Sequence, residues 1–281
     1  MLKGRLGIDD PRIPQRSRNG LLYVQRCRVA VENGSLVLVF DEAGETLELP
    51  YQRLNAILLG PGTTLTHDAA RHCSAHGTCL AFVGTESTRV YTAPPIFERD
   101  ADLARKQATW WAGENTRVMV AKRMYAKRFG ETPRTNDANA LRGMEAARIK
   151  RAYELLAAEY GVPWRGRHYD RARPEATDVA NLAINHTVTA IEACVAIAVQ
   201  ATATLPPLGF MHEDSAKSWV LDICDLYRTT VTVPIAFRCA RDQIRRPDET
   251  LDRRVRLIVS EHVRRSGFVD QVIDDIKALL A

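Results

Sequence analysis

Asp222 and Asp225 stand three residues apart in the run Trp219-Val220-Leu221-Asp222-Ile223-Cys224-Asp225, which reads as a helix. That spacing puts both carboxylates on one helical face. His212 precedes the run, just after a Gly-Phe-Met turn. Carboxylate oxygens with one imidazole are donors for Mg²⁺ or Mn²⁺, the imidazole tilting the preference toward Mn²⁺. A solvated helix face with two Asp and a satisfied His has the same pattern, so this segment by itself leaves both readings open. Glu145 lies in Leu141-Arg142-Gly143-Met144-Glu145-Ala146-Ala147-Arg148, beside the core-like positions Met144, Ala147 and Ile149. Glu145 and Arg148 share a helical face. They are either a carboxylate next to a phosphate-binding arginine or a surface pair worth a few tenths of a kcal/mol.

Other arrangements carry less. His72-Cys73-x-x-His76-x-x-Cys79 invites a zinc reading. The spacing is unusual for a structural site and no second ligand knuckle follows, so a helix packed on a sheet is the expectation. There is no Gly-x-Ser-x-Gly elbow and no Gly-rich loop ending in Lys-Ser/Thr, which disfavours hydrolase triads and nucleotide hydrolysis. The six cysteines include no Cys-x-x-Cys pair, and the N-terminal segment lacks an apolar run. Reduced, buried thiols in a cytoplasmic protein are expected. The most apolar stretch, Thr187 to Leu205, contains Glu192 and Gln200, and a buried helix explains it better than a membrane span.

The elements that must position these residues fall into two groups. From Leu21 to about Pro95 the apolar period is two, with a hairpin turn at Asn33-Gly34, short strands at Ser35–Phe40, Thr46–Leu49, Ala56–Leu59 and Leu80–Val83, and one short helix at His67–His76. After Thr92-Ala93-Pro94-Pro95 everything reads as helix. A long basic one is expected from Asp102 to Phe129, one through Tyr160 capped by Asp137 or Asn139, and one starting at Thr177-Asp178. Further helices are expected to open at Ser215 or Ser218 and near Pro234, with the last two between Asp248 and Leu280. The predicted class is α+β: a leader at 1–20, a small N-terminal β-rich domain at 21–92, a linker at 93–98 and an all-α C-terminal domain at 99–281. The chain has 281 residues and a net charge of +5, and residues 99–173 hold 17 Lys/Arg against 9 Asp/Glu. A basic block of this kind fits a polyanion-binding surface or a solvated face rich in arginine. On the first reading Arg148, Lys150, Arg165, Arg167 and the basic residues from Arg105 to Arg128 neutralise backbone phosphates without reading sequence. Tyr23, Trp164 or Tyr169 could stack on a frayed end, though Trp164 is read as core.

Several motifs in order resemble one family. They are Leu59-Gly60-Pro61-Gly62-Thr63, His67-x-Ala69-Ala70-Arg71 and Arg89-Val90-Tyr91 in the first half. The run from Leu141 through Tyr153, Tyr160-Gly161-Val162-x-Trp164 and Tyr169-Asp170 follows, then Leu208-Gly209-Phe210-Met211-His212, Trp219 to Asp225 and Thr232-Val233-Pro234-x-Ala236-Phe237. From about Asn19 onward the chain resembles the universal CRISPR-associated spacer-acquisition integrase/endonuclease, in its type I-E branch. The resemblance implies a metal-dependent enzyme that joins prespacer 3′-hydroxyl ends to the CRISPR repeat by transesterification. It implies Mg²⁺ or Mn²⁺ on Glu145, His212 and Asp225, with Asp222 as a further acidic residue of the catalytic site. It also implies DNA contacts from Arg71 and Arg89, and Tyr169 near the site. The nearest lysine after the histidine is Lys217, a further candidate contact. Thr63-Thr64 stands where close relatives often carry an arginine, and Glu213-Asp214 where they tend to have small or basic residues. The implied partners are double-stranded DNA with single-stranded 3′ ends, the repeat DNA, a small ferredoxin-like adaptation protein, and a second copy of this chain in a homodimer, two dimers per complex. Two rivals remain: a metal-dependent nuclease acting on branched DNA in repair, and a non-catalytic DNA-binding scaffold.

Overall fold

A computed structural model describes residues 21–40, 44–54, 56–84, 90–92, 101–168 and 177–281. The expected leader at 1–20 and linker at 93–98, together with Arg89 and Tyr169, lie outside the described residues. Strands come first and helices afterwards, so the class is α+β as expected. The strands are β1 (Leu21–Val24), β2 (Arg28–Glu32), β3 (Ser35–Phe40), β4 (Glu45–Glu48), β5 (Ala56–Leu59), β6 (Thr64–Leu65), β7 (Cys79–Val83) and β8 (Val90–Thr92). Helix α1 (His67–His76) sits between β6 and β7.

One sheet has the order β1-β5-β7-β8 and the other β4-β3-β2-β6. The β2–β3 hairpin turns at Asn33 and Gly34, with φ of 50° and 83°. Positive φ at both central residues is the requirement that selects Asn-Gly there. In β5 and β7, side chains alternate between two cores. Ile57, Leu59 and Leu80 join Val29, Leu36 and Leu38 of the second sheet and Ala69 and Cys73 of α1. Ala56, Leu58, Cys79, Ala81 and Val83 point the other way, into a core shared with the helices. Parallel strands covered on both faces read as unbroken apolar runs, and Ala56-Ile57-Leu58-Leu59 is one. The strand-rich part and the helical part therefore meet through a common core along this sheet.

Helix α1 is capped by Thr66, whose Oγ1 accepts from Ala69 N at 3.2 Å, and it stops at Gly77 with φ 71°. Its Cys73 belongs to one core and Cys79 of β7 to the other, while His72 and His76 pack their rings with Tyr51. The zinc spacing is thus split between opposite faces of a packed helix–sheet layer.

The helices are α2 (Asp102–Ala112), α3 (Glu114–Phe129), α4 (Ala138–Tyr160), α5 (Val179–Ala201), α6 (Ser218–Leu226), α7 (Val233–Arg245), α8 (Leu251–Ser266) and α9 (Phe268–Leu279). The expected single helix from Asp102 to Phe129 is broken at Gly113, which is extended at φ −93°, ψ 123°. The Thr116 hydroxyl lies 2.8 Å from Trp110 O and 2.9 Å from Gly113 O, and a Cβ on Gly113 would stand 2.6 Å from it. Helix α5 is the centre of the helical part. Asp178 caps it by accepting from Asn181 N at 2.8 Å, and its Ala-rich surface is buried against α6, α7, α8 and α9. That accounts for the apolar run ending at Leu205 as a core helix. Its small side chains allow the close approach that such packing needs.

Candidate active site

The chain between α3 and α4 folds back so that these helices run side by side. Two ion pairs of opposite sense cross between them: Arg128 with Glu145, and Glu131 with Arg148. The surface pair of Glu145 with Arg148, one of the two readings open from the sequence, does not form, because partners across the hairpin take both residues. Arg128 Nη1 also lies 3.8 Å from Asp225 of α6, and its side chain is only 3% exposed. Three helices thus converge on one guanidinium. Asp225 meets a second one: Arg228 Nε donates to Asp225 Oδ1 at 2.7 Å, and its Nη2 contacts the same oxygen. Arg228 opens a π-helical turn, Arg228–Thr232, wedged between α6 and α7. Such turns insert one extra residue and re-aim the side chains around them.

Asp222 has a different surrounding. It is fully buried, at 0% exposure. Its Oδ1 accepts from His212 N at 2.9 Å and from His212 Nδ1 at 2.7 Å, while Oδ2 accepts from Met211 N at 3.0 Å and from Phe210 N. The carboxylate clamps the 210–212 loop and fixes the imidazole with Nδ1 as donor and Nε2 turned away. Gly209 makes the close approach possible, since a Cβ there would stand 2.5 Å from His212 O and 2.7 Å from Ser218 Cβ. Glu213 is tied back as well, 2.7 Å from Arg142 Nη2 and 2.6 Å from Arg117 Nη2. The acidic residue after the histidine is therefore neutralised by α3 and α4.

The electrostatics follow from burial and pairing. Burial pushes the Glu145 carboxyl above its ordinary range, against the pull of Arg128. The hydrogen bond to Asp222 raises His212 above 6.5, outweighing its burial. Burial lowers Arg128, while Asp225 and Glu145 oppose that shift. Burial also works against the charge on Arg228, but Asp225 and Tyr153 hold it above its usual value.

A cavity of about 20 Å³, lined by Arg128, Glu145, Met211, Asp222 and Asp225, lies at this convergence. Among the described residues no three His, Cys, Asp or Glu side chains stand close enough together to hold a metal ion. A groove of about 660 Å³ opens beside it, lined by Lys150, Tyr153, Trp164, Arg165, Arg167, Asp225 and Arg228. The wall of this groove is anchored by buried Asn181. Its Nδ2 donates to Gly166 O at 3.0 Å, and its Oδ1 accepts from Arg167 Nη1 at 3.0 Å and from His168 N at 2.9 Å. Trp164 stacks on Tyr153 at 5.3 Å and meets Phe237 edge-on, so it packs against the core while remaining part of the groove wall.

The remaining candidates are spread out. Arg71 is exposed on α1 and 3.2 Å from Asp68. Lys217 pairs with Glu192 of α5. Arg167 lines the groove, whereas Arg148 sits over the rings of Tyr125 and Phe129.

The family model for "CRISPR associated protein Cas1" matches residues 22–132 and 125–268. The chain is 34% identical over 270 residues to the CRISPR-associated endonuclease Cas1 of Escherichia coli K12, covering 96% of this chain and 87% of that one. It is 33% identical to the corresponding protein of Geobacter sulfurreducens, with the same coverage. The chain belongs to the Cas1 family. Its fold matches TtCas1 in a crystal structure of a TtCas1–DNA complex, with TM-score 0.84, 31% identity, and 94% and 97% of the two chains covered. A casposase bound to its integration product shares the fold at TM-score 0.59 and 14% identity.

Within this Cas1-family chain, the two matched stretches overlap over the end of α3, where Arg128 lies. Sequence reasoning had Arg128 as one of many phosphate-neutralising cations and did not single out Arg228. Arg228 carries a readable signal, because it stands one helical turn after Asp225. Arg128 carries none, since its partners lie on α4 and α6.

Proposed function

We propose that this chain is a metal-dependent DNA strand-transferase of CRISPR spacer acquisition, joining a prespacer 3′-hydroxyl to a phosphodiester of the repeat by transesterification. The observation that carries this is the convergence of Glu145 from α4 and Asp225 from α6 on shared positive charge, at the end of a cationic groove, in a Cas1-family chain. Glu145, His212 and Asp225 would hold Mg²⁺ or Mn²⁺, which when bound supplies Lewis-acid activation of the hydroxyl and neutralises charge at the phosphate. The donor set fits such an ion. Two carboxylates already gather around a cation, and the cavity between them has room for about one water-sized occupant. Asp222 fixes Nδ1 of His212 as donor, which leaves Nε2 as the ligating nitrogen, the usual arrangement behind a metal-bound histidine.

The chain's own residues do the rest. Asp222 orients the imidazole and holds the 210–212 loop. Arg228, beside Asp225 and facing the groove, offsets charge that builds on the phosphate oxygens. Lys150, Arg165 and Arg167 neutralise backbone phosphates along the groove, which suits an enzyme that must accept varied DNA. Arg71, Arg89, Arg148, Tyr169 and Lys217 are proposed as further DNA contacts. The strand-rich part, residues 21–92, is proposed as the surface that joins two copies of the chain. The edge strand β4, exposed at every position and carrying Leu47, supports that reading. Two such dimers would flank a small ferredoxin-like partner.

The test is a strand-transfer reaction with the purified protein, its small partner, a short duplex with free 3′ ends and a supercoiled plasmid bearing the repeat. Wild type and Asp225→Ala are compared in Mn²⁺, Mg²⁺ and EDTA. Joined product that needs metal and vanishes in the variant is expected. Cut but unjoined DNA would make water the nucleophile and turn the reading to a nuclease. Identical behaviour of the two proteins would remove Asp225 from the site.

A further inference from the structure

Arg128 occupies an unusual place for a basic residue. Its side chain is 3% exposed, and it reaches Glu145 and Asp225 through a single nitrogen, Nη1. Its Nε and Nη2 are buried without a hydrogen-bond partner. Buried guanidinium donors left unpaired are costly, and the two carboxylates, with the Phe129 ring 5.2 Å from the guanidinium carbon, offset that cost. The backbone beneath is fixed independently: the neighbouring Lys127 Nζ lies 2.7 Å from Asp275 of α9, which also accepts from Tyr227 Oη. The end of α3 is thereby pinned by contacts that do not involve the Arg128 side chain.

We propose that Arg128 is the resident counter-cation of the Glu145–Asp225 pair, and that it and a divalent cation exclude each other. This rests on the metal reading of the same site. Arg128 Nη1 already contacts the Glu145 carboxylate and stands 3.8 Å from Asp225, so a guanidinium and a metal ion would compete for the same oxygens. Among the described residues no three potential ligands converge while Arg128 is in place, and in this proposal the ion takes the two carboxylates as the guanidinium withdraws. A divalent ion brings two charges where Arg128 brings one, and it satisfies both carboxylates without stranding buried N–H groups. Arg128 then does two things. It keeps the acidic pair from repelling itself apart in the metal-free protein, and it weakens metal affinity by competing for the same oxygens.

Mn²⁺ binding to wild type, Arg128→Met and Asp225→Asn is measured by the electron paramagnetic resonance signal of free Mn²⁺, and thermal unfolding is followed in EDTA and in Mn²⁺. Arg128→Met is expected to bind Mn²⁺ at least about tenfold more tightly, since the cation that competes for the same two carboxylates has been removed. In EDTA it is expected to unfold at lower temperature than wild type, with the gap closing in Mn²⁺ and also on adding Glu145→Gln. Equal or weaker Mn²⁺ binding by Arg128→Met, while Asp225→Asn still abolishes binding, would overturn the proposal and leave the metal site standing. Failure of wild type to bind, or no effect of Asp225→Asn, would overturn the metal reading and this proposal with it. A measurement on the unaltered protein guards against misfolding of the variant: the Arg128 Nε–H resonance in ¹⁵N-arginine-labelled protein is expected to shift on titration with Mg²⁺. An unmoved resonance at saturating Mg²⁺ counts against displacement.

Discussion

Asp222 can be separated from the other acidic residues by what its removal would cost. Its carboxylate receives three backbone N–H groups, from Phe210, Met211 and His212, as well as the imidazole Nδ1, with no exposure to water. Each buried donor left without a partner costs about 1–3 kcal/mol. In Asp222→Ala the Phe210 amide stays buried, while the Met211 and His212 amides lie nearer the surface and regain part of the loss from water. The expected cost is about 3–5 kcal/mol, a large share of the roughly 5–15 kcal/mol typical of a folded domain. Asp222→Asn keeps the shape but turns one oxygen into a donor. Either oxygen receives two N–H groups, so the amide must face at least one of them donor to donor, at about 2 kcal/mol. Urea unfolding in EDTA gives both values, and amide hydrogen exchange at 210–212 reports the loop directly. If Asp222→Ala cost less than about 1 kcal/mol and left exchange at these amides as slow as in wild type, the clamp assigned to Asp222 would be refuted.

Arg228→Met is expected to slow single-turnover joining by about 10²–10³-fold, as for loss of a charge aimed at a developing anion, with Mn²⁺ binding retained; a rate within threefold of wild type would exclude that role. The Asp222 contact raises His212 above 6.5. Its contribution is complete below the unfolded value near 6.5 and is lost as pH rises through the folded one. His212→Gln in EDTA should therefore cost more stability at pH 6 than at pH 8.5 in urea titrations, and a penalty that grows with pH would contradict the pairing. Removing Lys150 or Arg165 from the groove should weaken DNA binding alike across sequences and reduce the slope of log K against log salt by about one each. An unchanged slope would put the phosphates elsewhere.

Much of the fold was legible because its signals are local. The apolar runs of β3, β5 and β7, the positive-φ turn at Asn33-Gly34, the start of α5 at Asp178 and the bounds of α1 depend on residues within a few positions of one another. The three-residue step from Asp222 to Asp225 placed both beside one cavity for the same reason. The break at Gly113 was missed because it depends on the Thr116 hydroxyl taking backbone carbonyls that a continuous helix would use itself.

The sequence by itself determined which residue types the site has to work with: an acidic pair, a histidine and a basic block ordered as in a known family. Only the tertiary structure decided what each of them touches. Two aspartates on one helix face took opposite roles, one buried under three backbone amides and the other between two guanidinium groups. Glu145 pairs with Arg128 on the neighbouring helix rather than with Arg148 one turn away. Helical periodicity fixes the direction in which a side chain leaves its own backbone. The charge it meets, and how much water stands between them, is set by the helices that pack against it from distant parts of the chain.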